Sequence, residues 1–133
     1  MSQLRLAAIA FAVAVAFHTV DHLRRGVGSV DGDVLWAGNL ALVLEVGVVV
    51  LVLIDHRWAP LAAATVGAGL AAGYVLVHLL PDRGWLSDPL FSGGASAISQ
   101  VAAVLEIAAA TWLSVAGFVE LRQRGGLASA ARP

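Results

Sequence analysis

The sequence contains no cysteine, and its single methionine is the first residue. Disulfides, thiolate metal sites, cysteine nucleophiles and thioether ligands are therefore all excluded. Charge is scarce as well, at 13% of residues with a net charge of -1. The basic residues are all arginine and stand at the ends of apolar segments, without the clustered basic face that nucleic-acid binding requires. Ser29, Ser87, Ser92, Ser96, Ser99 and Ser114 sit in no nucleophile motif, and the Gly-Gly pairs lie in a loop and the tail, so hydrolase and phosphate-loop chemistries have no support.

What the chain has in abundance is apolar surface. Hydrophobic residues make up 59% of it and the mean hydropathy is +0.86, well above the ~45–50% of soluble domains. A membrane-spanning helix needs about 20 mostly apolar residues, and four segments reach that length, at 4–23, 34–54, 61–80 and 97–119. These predict an all-α, polytopic membrane protein built as a four-helix transmembrane bundle. One domain covers 1–133, with 120–133 as a disordered tail and the lipid bilayer as the principal partner. The start "MSQLRLAAIAFAVAVAFH" has the outline of a secretory signal, but its apolar stretch continues toward Leu23, so the expectation is a retained first span.

The arginines suggest an orientation. A cytoplasmic N-terminus places Arg5, Arg57, Arg122, Arg124 and Arg132 inside, against Arg24, Arg25 and Arg83 outside. The protein is thus read as a multi-pass protein of the cell membrane with both termini cytoplasmic. Trp36, Trp58 and Trp85 suit interfacial anchoring, whereas Trp112 is deep enough to be assigned to the core. The outer loop 81–96, with Trp85, Leu86, Leu90 and Phe91, is read as an interfacial loop anchored at the headgroup level by its aromatics, with a lid over a site as the alternative.

Polar groups inside spans are costly, roughly 2.5 to 3.5 kcal/mol for a central charge on insertion scales, so each one asks for a reason. They are His18, Asp21 and His22 in the first segment, Asn39 and Glu45 in the second, Tyr74 and His78 in the third, and Gln100 and Glu106 in the fourth. "NLALVLEV" aligns with "QVAAVLEI", pairing Asn39 with Gln100 and Glu45 with Glu106. "HTVDHLRRG" aligns with "YVLVHLLPDRG", pairing His22 with His78 and His18 with Tyr74. The correspondence predicts a duplicated two-helix hairpin with a pseudo-two-fold axis along the membrane normal. Such an axis brings paired residues together at the bundle centre.

Helical rise of about 1.5 Å per residue separates these groups by depth. His22 and His78 lie within a turn of the outer surface, and His18, Tyr74, Asn39 and Gln100 form a layer below. Glu45 and Glu106 come out roughly 14 to 17 Å deep, too far down for straight helices to bring them to the outer imidazoles. Three chemistries fit this layering. His18, His22 and His78 can hold a zinc or copper(II) ion, with Asp21 or Asp82 as a carboxylate ligand or supporting partner. His22 and His78 can be the axial ligands of a haem. Glu45 and Glu106, with Asn39, Gln100 and Tyr74, can serve a proton-coupled small-molecule carrier, as a homodimer because four helices enclose only a narrow path. The bland alternative is an accessory subunit of a larger membrane complex, its acids acting only as hydrogen-bonded glue between helices.

Overall fold

The first helix of the computed structural model, α1 (Gln3–Arg25), begins where the Ser2 side chain accepts a hydrogen bond from the Arg5 backbone N–H at 3.2 Å. This N-cap satisfies one of the free donors of the first turn. It ends at Gly26, whose φ of 93° suits glycine. A single 3-10 turn over Val27–Ser29 leads to α2 (Gly32–Leu53). Asp55, at φ 53°, turns the chain toward α3 (Ala59–Tyr74), which carries Pro60 in its first turn, where the missing N–H costs nothing. The same helix continues as a π-helical segment, Val75–Leu79, and stops ahead of Pro81. After a loop comes α4 (Ala97–Ala130). The structure describes residues 1–91 and 95–130.

Four segments are long and apolar enough to cross a membrane: Gln3–Arg25, Gly32–Leu53, Ala59–Leu79 and Ala97–Gly125. Each contains or overlaps one of the expected spans. α4 continues beyond Val119 into the stretch expected to be a disordered tail, where Glu120 accepts from Arg124 Nε at 3.0 Å one turn on. Residues 131–133 of that tail lie outside the described residues.

The packing is unequal. α4 is the hub, lying extensively against α3 and α1, whereas α2 makes the lightest contacts with its neighbours. Glycine explains the tightness of the α3–α4 seam. A Cβ at Gly67 would stand 2.8 Å from the Ser114 backbone nitrogen, and one at Gly117 would stand 2.6 Å from that of Ala64. Only glycine lets the two backbones approach this closely. Around the seam lie Ala7, Ala8, Phe11, Ala63, Ala110 and Leu113, all with 0% exposure.

Large apolar residues such as Leu40, Val43, Leu44 and Val50 cover the outside of α2, a surface suited to contact with lipid. Trp112 is also outside, 43% exposed, which corrects its assignment to the core. Lipid tails accept a mid-span tryptophan as readily as a core does, so hydrophobicity alone does not separate the two. The inner face of α4 is already filled by Ala109, Ala110, Leu113 and Ala116.

Candidate metal centre

His18 and His22 are one turn apart on α1 and stack with ring centroids 4.6 Å apart. His78 comes from the π-helical end of α3, its ring 5.1 Å from His18 and 6.4 Å from His22. π-helical turns recur at functional sites. Each histidine offers a ligand atom within 4.8 Å of the others. A tetrahedral ion bound at 2.0–2.1 Å needs its nitrogens about 3.3 Å apart, so the set must draw closer to bind one.

The remaining ring nitrogens are held from behind. His78 Nδ1 donates to the Asp88 backbone carbonyl at 3.1 Å, which puts its proton on Nδ1 and leaves Nε2 with a free lone pair. His18 Nδ1 is hydrogen-bonded to Glu106 Oε2, the carboxylate–histidine arrangement that orients metal ligands. His22 differs, because its Nδ1 faces Arg25 Nη2 at 2.9 Å and must accept. Ligation of an ion through Nε2 of His22 therefore requires its proton to move to Nδ1 and Arg25 to turn aside. Two carboxylates stand ready to hold Arg25, with Asp21 at 3.3 Å and Asp88 at 3.2 Å.

Asp21 is buried, but its carboxylate faces arginines. Arg24 donates to its Oδ1 at 2.7 and 3.1 Å and Arg25 pairs with its Oδ2. Spacing explains this, since three and four residues along a helix return to the same face. Asp82 accepts from the Gly84 N–H at 2.8 Å and shapes the loop. Gln100 donates to the Leu90 carbonyl at 3.1 Å, so it too holds the loop. That loop seals the end of α3, where Asp88 and Leu90 N–H groups donate to the carbonyls of Val77 and His78, each at 3.0 Å. Leu90 is buried while Trp85 and Phe91 are exposed. Residues 92–94 of the expected interfacial loop lie outside the described residues.

Glu45 and Glu106 are both buried, at 5% and 3% exposure, as their place among small residues predicted. Neither acid joins the cluster of His18, His22 and His78, in keeping with their expected distance from the outer imidazoles, but both reach the layer between. Glu106 meets His18, Tyr74 donates to Glu45, and all four side chains border one cavity with His22 and His78. The depth estimate measured Cα positions, whereas helical side chains lean toward the N-terminus of their own helix. α1 and α3 run opposite to α2 and α4, so His18 and Tyr74 lean toward the acids and the acids lean toward them.

The cavity has a volume of about 330 Å³. Asn39 borders it, along with Gly38, Leu42, Leu70, Gly73 and Val77. No protein-family model, curated protein or solved structure matches this chain. The side chains themselves must therefore supply the functional reading. Arg25 and Asp88 are the site residues that sequence reasoning missed. Arg25 was legible in its four-residue spacing from Asp21, whereas nothing in the sequence marks Asp88 as a neighbour of His78.

Proposed function

We propose that this chain is an integral membrane protein that binds a transition-metal ion, zinc(II) or copper(II), through His18, His22 and His78. The convergence of three buried or half-buried imidazoles carries the reading. Imidazole suits both ions, and the bonds from Glu106 and the Asp88 carbonyl are of the kind that orient such ligands. The arrangement favours a single ion over haem. The His18 ring lies 4.6 Å from His22 and 5.1 Å from His78, in space that a macrocycle between those two would need. Asp21 steadies Arg24 and Arg25 and is not a ligand in this reading.

The domain is the whole chain, 1–133, in the cell membrane with both termini cytoplasmic, which sets the histidines near the outer face. The arginine bias supports that orientation, and the paired amides and acids support an origin by hairpin duplication. The test is the zinc and copper content of purified protein. Stoichiometric metal is expected, and it should be lost in His22→Ala and His78→Ala variants that keep wild-type helicity. Metal-free protein that takes up neither ion would end the proposal.

A second reading, a proton-coupled carrier, is favoured by one observation: Glu45 and Glu106 border the same cavity as the histidines. It requires pH-gradient-driven flux in liposomes that disappears in both Glu45→Gln and Glu106→Gln.

A further inference from the structure

We infer that the cavity beside the imidazoles binds a small amphiphile drawn from the bilayer, whose oxygen or nitrogen donor completes the coordination of the ion. The inference rests on the metal reading and adds an organic ligand to it. Among the described residues, the cluster of potential ligands is His18, His22 and His78 alone. The nearby carboxylates already have partners, Asp21 with Arg24 and Arg25, Asp88 with Arg25, Glu106 with His18, and Glu45 with Tyr74. Three protein ligands and one open position is the pattern of metal sites that bind an exogenous molecule.

That open position faces usable space. The three imidazoles form part of the wall of the ~330 Å³ cavity, a size within the range of small-molecule sites. The rest of the wall is mostly aliphatic, including Val34, Leu42, Leu70 and Val77. Gly38, Gly69 and Gly73 border it, and a Cβ at any of them would meet nothing within 4 Å. The exposed lining residues are Thr19 and Leu23 of α1, Leu35, Gly38 and Asn39 of α2 and Gly69 of α3, so the cavity opens along α2. The outer faces there are apolar, so a ligand arriving from lipid meets the opening directly. Asn39 stands on the rim, and its side chain makes no hydrogen bond among the described residues. An amide in apolar surroundings is costly without a partner, and a second polar group on the ligand would supply one.

The test uses cobalt(II), whose visible absorption responds to a fourth ligand. Cobalt-loaded protein is titrated with azide, acetohydroxamate and hexanohydroxamate, and the same series is run on Gly73→Leu and Gly38→Leu in the same detergent. Each buried methylene contributes ~0.8 kcal/mol, so the four additional methylenes of hexanohydroxamate should tighten binding about 200-fold over acetohydroxamate. Either leucine, placed at the cavity border on α2 or α3, should retain cobalt binding and the azide response and lose most of that gain. Equal affinity for the two hydroxamates, or an undiminished gain in both leucine variants, would overturn the inference. Wild-type protein that takes up no cobalt would instead defeat the metal reading beneath it.

Discussion

On one face of α3, Gly67 lies so close to α4 that a methyl group there would stand 2.8 Å from the Ser114 backbone nitrogen, while Gly69 and Gly73 border open space at the cavity. The same residue type, six positions apart in one helix, serves close packing in the first case and free volume in the second. The difference runs through the whole bundle. The α3–α4 seam is dense, and Ser114 Oγ crosses it to donate to the Ala64 carbonyl at 2.8 Å. α2 stands further off, and the cavity lies between it and the other helices. Stability and ligand space are thus divided between two sides of one small bundle, a division that single substitutions can probe.

The largest effect should come from filling the seam. Gly117→Leu and Gly67→Leu force backbones apart, at a cost on the order of 3 kcal/mol or more, and should yield little monodisperse protein in size-exclusion and thermal-melting assays. Gly38→Leu, on the cavity side, should melt close to wild type. Equal losses at both sides would erase the comparison.

Next in size is the difference between the two acids. Glu106→Gln weakens the support behind His18 and should lower metal affinity about 10- to 100-fold in competition titrations. Glu45→Gln touches only the Tyr74 side and should leave that affinity unchanged. Tyr74→Phe removes the partner of buried Glu45 and should cost about 1–3 kcal/mol in unfolding free energy. Ser114→Ala, by contrast, deletes an interhelical bond of a kind that averages ~0.6 kcal/mol in a membrane protein. The smallest change is expected for Gly69→Ala, which adds a methyl group to open space and should stabilise α3 by up to ~1 kcal/mol through helix propensity.

The acids also show how far the sequence can be read. Small residues at helical spacing from Glu45 and Glu106 marked both as inward-facing, and both are buried. His18 and His22 were legible as a pair from their four-residue spacing, and so was the shared face of Tyr74 and His78. The contacts of His18 with Glu106 and of Tyr74 with Glu45 were not, because helical rise gives backbone height and says nothing of the lean of a side chain. Asp21 had the right residue type for a ligand, yet adjacent arginines took its carboxylate.

Composition and hydropathy determined the spans by themselves, since a long apolar helix is costly in water and needs no partner to be recognised. The polar residues within those spans were equally plain, each standing against an apolar background. Only the tertiary structure decided which of them meet. It drew α4 against α3 through two glycines and left α2 apart, and it seated His78 on a π-helical turn beside His18. It also opened a cavity where the four helices present their polar groups. Those outcomes depend on packing between segments distant in the chain, and neither periodicity nor spacing within one helix carries that information.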